Sequence, residues 1–213
     1  SGSFDKTVKL WDLESGIEIR TFKGHPNFVN SVVFSPNGKY AVSGSSDDYT
    51  RRTWTNVIII WDVDTGEKVK TFRGHLTYGD VDAVAFSPNG RFVLSGSSNK
   101  LKIWDIRTGV ELKSMEHPEI GISSIAISSD GRYAATGGTK KICIWDIETG
   151  KFIRVFETGT NASLTFSPDG KYILSNSEGI SLWDISSGKK IKTFGGKVSP
   201  VFSVAINHDG RYA

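Results

Sequence analysis

The chain has 213 residues, enough for one large domain or two small ones. Its 38% hydrophobic and 23% charged residues are those of a folded globular chain, and the longest aliphatic run, Val57-Ile58-Ile59-Ile60, is far short of the ~20 apolar residues that span a bilayer. The 26 Lys and Arg against 23 Asp and Glu leave a formal charge of +3, too small a bias to imply a phosphate-binding surface, so nucleic acid is an unlikely partner. The single cysteine, Cys143, excludes an internal disulfide and cannot make a zinc site alone, which favours a reducing, cytoplasmic setting. Twenty-three Gly with 12 Phe, 6 Trp and 6 Tyr suggest short strands joined by tight turns, an all-β chain.

In chain order, Val8-Lys9-Leu10-Trp11 alternates as a strand, Ser15-Gly16 turns the chain, and Ile19 to Phe22 returns it. A second apolar pair of segments, Val29 to Phe34 and Tyr40 to Gly44, flanks the turn Ser35-Pro36-Asn37-Gly38. Asn-Gly between apolar runs is a strong hairpin signal, because Gly reaches positive φ without steric cost. From there the order repeats. Trp-Asp recurs at residues 11, 61, 104, 145 and 183, and Gly-terminated turns recur at Gly38, Gly90, Gly131, Gly170 and Gly210. A Ser-Gly or Thr-Gly turn follows each Trp-Asp, and a fourth strand closes each unit, as in Val69-Lys70-Thr71-Phe72. Each unit reads as a four-stranded antiparallel meander.

These marks resemble the WD-repeat β-propellers, whose repeat places Gly-His before the first strand and Trp-Asp at the end of the third. Gly-His stands at Gly24-His25 and Gly74-His75, is altered to Glu116-His117, and is absent from the last two units. The resemblance covers essentially the whole chain and implies a five-bladed WD-repeat propeller of four-stranded antiparallel blades. Residues 1–23 carry only a third and fourth strand, whereas 196–213 carry only a first and second. The expected organisation is a single domain, 1–213. Its blades are 196–213 with 1–23, then 24–73, 74–116, 117–157 and 158–195, and the two half-blades pair to close the ring. A closed ring is expected to be monomeric; the alternative is a portion of a larger, seven-bladed protein.

His25, Ser43 and Asp47 have the residue types of a nucleophilic triad, but the same slots recur as His75, Ser95 and Asn99, and one active site is not built by repetition. The resemblance implies a buried structural chain of hydrogen bonds instead, His25, Ser43, Asp47 and Trp61 in one blade and His75, Ser95 and Trp104 in the next. Lys197, Lys140 and Glu178 depart from the pattern in the other blades. Cys143 lies mid-strand, where a small buried residue is expected rather than a nucleophile paired with His117. The four His lack metal-ligand spacing and no Gly-rich phosphate loop opens a helix, so neither metal nor cofactor is expected, and no catalytic residue.

Departures from the repeat carry the functional expectation. Unit two is lengthened by a loop containing Tyr49, Arg51, Arg52 and Trp54, residue types that dominate binding hot spots. The resemblance implies that this loop shares a face with the loop carrying Gly-His, where by slot Phe4, Phe28, Asn30, Tyr78, Asp80, Asp82, Ser98 and Pro200 are expected. A contiguous exposed patch of the aromatics Phe4, Phe28 and Tyr78 there would mark an interface. The expected function is a non-catalytic protein-interaction scaffold that docks protein or peptide partners on this loop face. The alternative is an enzyme or small-ligand site in the central channel.

Overall fold

The computed structural model describes residues 1–46, 56–75, 79–119, 121–158, 163–176, 179–195 and 201–213. Strands β1 (Thr7–Trp11) and β2 (Glu18–Lys23) form a two-stranded sheet. Four four-stranded antiparallel sheets follow. The first holds β3 (Val29–Phe34), β4 (Tyr40–Ser45), β5 (Ile58–Asp62) and β6 (Lys68–Phe72), and the second β7 (Val81–Phe86), β8 (Phe92–Ser97), β9 (Lys100–Asp105) and β10 (Glu111–Glu116). The third holds β11 (Ser124–Ile127), β12 (Tyr133–Gly137), β13 (Lys141–Asp146) and β14 (Phe152–Glu157), and the last β15 (Leu164–Phe166), β16 (Tyr172–Ser175), β17 (Ile180–Asp184) and β18 (Lys190–Phe194). The described residues contain no helix. All-β meanders of four strands are what the repeat predicts.

Two turns set this register, each for a chemical reason. In the first hairpin Ser35 Oγ receives the Tyr40 amide at 2.9 Å and donates to Asn37 Oδ1 at 2.7 Å, while Gly38 takes a φ of 70°. Ser87, Ser128 and Ser167 repeat the bond to the amide five residues on, and Asn207 Oδ1 substitutes for the hydroxyl at Tyr212. The Asp of each Trp-Asp caps the second turn: Asp62 Oδ1 accepts the Thr65 amide at 2.9 Å, as Asp105, Asp146 and Asp184 do at Thr108, Thr149 and Ser187. Such carboxylates act as Asx-type caps for otherwise orphaned N–H groups.

Consecutive sheets are joined by apolar clusters. Val8 and Phe22 of the two-stranded sheet pack with Ile59 and Trp61, and Phe72 packs with Trp104 in the next cluster. Met115 meets Trp145, and Phe156 meets Trp183. The ring centroids of Phe22 and Trp61 are 5.6 Å apart, and those of Phe72–Trp104 and Phe156–Trp183 are 5.2 Å apart. Burying an aromatic ring stabilises by several kcal/mol at most, about 25 cal/mol per Å2 of apolar surface, so these repeated pairs carry much of the inter-sheet energy.

A second inter-sheet link is polar. Arg20 Nη2 donates to Asp64 O at 2.7 Å, Lys70 Nζ to Arg107 O at 2.8 Å, and Arg154 Nη2 to Ser186 O at 2.9 Å. Each cation comes from a fourth strand, two residues before the buried apolar side chain, and reaches the turn of the following sheet.

The expected pairing of the two half-blades is not found among the described residues. Residues 201–213 contain no strand, and β1 pairs only with β2 apart from one isolated bridge between Gly2 and Val8. Instead, 201–213 lies against the last sheet, where Val204 N donates to Ser163 Oγ at 3.4 Å and Asn176 Nδ2 to Val201 O at 2.5 Å. The first of these repeats, slot for slot, the Val84 N to Ser31 Oγ bond between the first strands of neighbouring sheets. The segment therefore occupies the place of a following sheet's first strand.

Candidate partner-binding face

Strand ends and the loops that join them build this face. The loop before β3 is fastened by His25, whose Nε2 lies 2.5 Å from Ser43 Oγ on β4, and the indole of Trp61 on β5 donates to the same oxygen at 2.7 Å. The next sheet repeats this with His75, Ser95 and Trp104 at 2.7 and 2.8 Å. Both imidazoles are buried, and each leaves Nδ1 without a partner among the described residues. Burial, helped by Lys68, lowers the His25 pKa to about 4; burial and Lys102 lower that of His75 to about 3. A neutral imidazole held that low is a poor base, so the trio works as a fastener and not as an activated hydroxyl.

His117 departs from the pattern. Its Nδ1 accepts the Glu119 amide at 3.1 Å, while Trp145 donates to Thr136 Oγ1 at 2.9 Å. Burial pushes the Cys143 thiol up to about 12, the reverse of what a nucleophile needs. The described residues hold no group of three or more His, Cys, Asp or Glu placed to bind a metal, and no helix long and apolar enough to cross a membrane.

Two of the seven aromatic and basic candidates are brought together. Phe4 is 75% exposed and Phe28 42% exposed, with ring centroids 5.0 Å apart. Tyr49, Arg51, Arg52, Trp54 and Tyr78 lie outside the described residues, as do Asp47, Glu178, Lys197 and Pro200. Beyond the aromatic pair, Phe28 O accepts the Ser46 amide at 2.8 Å, Ser46 Oγ donates to Asn30 Oδ1, and Asn30 Nδ2 donates to Asp82 Oδ1, both at 3.0 Å. Asn30 and Asp82 sit where the registers of β3 with β4 and β7 with β8 shift, and the shift lets them meet across the two sheets. Burial, then the neighbouring Asp80 carboxylate, raises the Asp82 pKa to about 6 against the opposing bond from Asn30.

Ser46 and Asn56 were not indicated by any motif. Asn56 Nδ2 donates to Gly79 O at 2.7 Å, and Ser97 Oγ reaches the same carbonyl at 3.0 Å, tying the loops of adjacent sheets. Ser98 takes a φ of 51° in the tight turn between β8 and β9. Sequence alone offers only a polar residue at a strand boundary, which is too common to single either out.

Repeated four-stranded sheets, each carrying a Trp-Asp third strand and a buried Ser or Thr under the indole, define a WD-type repeat protein. The description "WD domain, G-beta repeat" matches residues 16–52, 66–105 and 109–146, more than half of the chain, and the chain belongs to this family. It is 32% identical over 122 residues to the small ribosomal subunit protein RACK1y of Oryza sativa subsp. japonica, covering 56% of this chain and 32% of that protein. It is 34% identical over 112 residues to the guanine nucleotide-binding protein subunit beta of Arabidopsis thaliana, covering 51% and 28% respectively. A third relative, nuclear distribution protein PAC1 of Coccidioides posadasii, is 50% identical over 54 residues, 25% of this chain and 11% of that protein. The matches span a third or less of the length of these relatives.

Proposed function

We propose that this chain is a non-catalytic scaffold that docks protein or peptide partners on the loop face. The observation that carries the reading is the exposed pair Phe4 and Phe28, whose tilted rings lie 5.0 Å apart beside the Ser46–Asn30–Asp82 chain of hydrogen bonds. Aromatic side chains held on a rigid support lose little entropy on binding and bury large area, which is the make-up of an interaction hot spot. Tyr49, Arg51, Arg52, Trp54 and Tyr78 extend the same face in this proposal, supplying cationic and aromatic contacts. One relative is named as a protein of the small ribosomal subunit and another as a subunit of a guanine nucleotide-binding protein, and members of such assemblies act by contact with other chains. The lone, buried Cys143 fits a reducing compartment, and we place the protein in the cytoplasm.

The test replaces Phe4, Phe28, Tyr49, Arg52 and Trp54 with Ala and compares quantitative mass-spectrometric capture from cell extract with the wild-type chain. The proposal expects the proteins captured by wild type to be lost while the thermal transition stays close to wild type. Unchanged capture by the folded variant assigns binding to another surface.

A further inference from the structure

The third sheet is packed against a neighbour on each of its faces, through Cys143 and Trp145 on one side and Ile142 and Phe156 on the other. Its open side is the edge strand β14, which pairs only with β13. Sheets protect such edges with charged and polar side chains, because unpaired N–H and C=O groups recruit further strands. The other fourth strands follow this rule and β14 does not. Opposite the third-strand Trp they carry Glu18, Lys68, Glu111 and Lys190, where β14 carries Phe152. Opposite the residue two before that Trp they carry Thr21, Thr71, Ser114 and Thr193, where β14 carries Val155. Phe152, Ile153 and Val155 are 48%, 46% and 37% exposed. Trp145 and Cys143 are two residues apart on β13, so their partners Phe152 and Val155 project from one face of the sheet. Arg154, the one charge between Phe152 and Phe156, is held at Ser186 O. An apolar stripe thus runs along an open edge.

The backbone of this edge is in phase with the stripe. Thr158 N donates to Lys140 O at 2.7 Å, which makes Phe156 and Arg154 the residues that bond to β13. The N–H and C=O groups of Val155 and Glu157, with the carbonyl of Ile153, therefore point outward. The flanking charges are opposite in sign, Lys151 just before the strand and Glu157 at its end. An antiparallel copy of the same segment brings each near the other. Among the fourth strands only β6 shares this arrangement, as Glu67 and Arg73, and there Lys68 and Thr71 interrupt the apolar stripe.

We propose that β14 of one copy of this chain pairs antiparallel with β14 of a second about a twofold axis at Val155, joining two four-stranded sheets edge to edge. Val155 N donates to the Val155 carbonyl of the second copy, Glu157 N donates to its Ile153 carbonyl, and each bond has its symmetry mate. Phe152, Ile153 and Val155 of the two copies meet on one side of the joined sheet. Glu157 stands diagonal to Lys151 of the second copy, within reach of a lysine side chain. Arg154 falls beside Phe156 of the second copy and not opposite its own counterpart, so no like charges face each other. The interface is isologous and closes at two copies. It uses none of the residues assigned to the loop face.

Sedimentation velocity on the 213-residue chain over a range of concentrations provides the test, using wild type, Val155→Lys and Val155→Glu. Wild type is expected to dimerise as its concentration rises. Each charged variant alone is expected to stay monomeric, because two like charges then face each other across the axis. An equimolar mixture of the two is expected to pair one to one, since Lys now meets Glu. Circular dichroism checks that both fold. A third variant, Val155→Thr, carries the residue that β2, β6 and β18 hold in this slot, and its dimer is expected to dissociate severalfold more readily than that of wild type. Wild type that stays monomeric, charged variants that dimerise alone, a mixture that remains monomeric, or an unchanged dissociation constant for Val155→Thr would each overturn the proposal.

Discussion

The indole of Trp61 and the imidazole of His25 converge on one atom, Ser43 Oγ, at 2.7 and 2.5 Å. A single hydroxyl thus fixes a third-strand ring and an entry loop together, and the relation is repeated at Ser95. Ser43→Ala leaves two buried polar nitrogens unpaired, and the expected loss is about 1–3 kcal/mol in urea-induced unfolding. Ser1→Ala, under the half-exposed Trp11, is expected to change stability by a few tenths of a kcal/mol at most, since water replaces the bond.

Acid should weaken the fold through the same groups. His25 and His75 have folded-state pKa values of about 4 and about 3, below the ordinary 6.5, so the fold holds neutral imidazole. Their contribution is complete above about pH 6.5 and is lost as pH falls toward 4 and below. Because Asp82 acts in the opposite sense over part of this range, the melting temperature is best followed in an Asp82→Asn chain. It should fall between pH 6.5 and 4.5; a flat profile would contradict neutral burial.

For Asp82 itself the raised pKa of about 6, against an ordinary 3.8, means that the fold prefers the protonated carboxyl. That preference is fully favourable below pH 3.8 and is lost as pH rises through 6. Asp82→Asn removes the charge and keeps an acceptor for Asn30. The variant should melt higher than wild type at pH 7.5, with the gain shrinking as pH falls below 6.

Gly66 and Gly16 occupy the same turn slot with φ of 80° and 70°, but only Gly66 lies under an inter-sheet cation. Alanine at either position meets left-handed backbone strain of ~1–2 kcal/mol. Gly66→Ala also brings a Cβ to within 2.8 Å of Arg20 Cδ, so the Arg20 side chain must shift from its position at the Asp64 and Thr65 carbonyls. Equilibrium unfolding should show the larger loss for Gly66→Ala, and equal losses would mean that the cation contributes nothing.

Most of the fold was legible because its turns are chemically determined. Ser-x-Asn-Gly and Trp-Asp-x-x-Thr-Gly each contain their own acceptors and a positive-φ glycine, so strand number, order and register follow from short segments. The inter-sheet links were less visible. Arg20, Lys70 and Arg154 stand in one slot of a Lys-rich outer strand, where a cation reads equally well as edge protection, and their targets lie 32 to 45 residues away. The Asn30–Asp82 contact depends on register shifts that composition does not reveal. Pairing of the half-blades is expected from complementary strand content, which by itself does not fix the strand partner, and among the described residues 201–213 lies against the last sheet instead. On the candidate face, residue type identified Phe4 and Phe28 without indicating that the two rings meet.

The most direct measurement of the central claim is a binding titration. A partner identified by capture, once purified, is titrated by calorimetry against the wild-type chain and against a Phe4→Ala, Phe28→Ala chain of unchanged thermal stability. Loss of two hot-spot aromatics at ~1–2 kcal/mol each predicts affinity weakened by at least tenfold. An unchanged dissociation constant would contradict the assignment of the loop face as the docking surface.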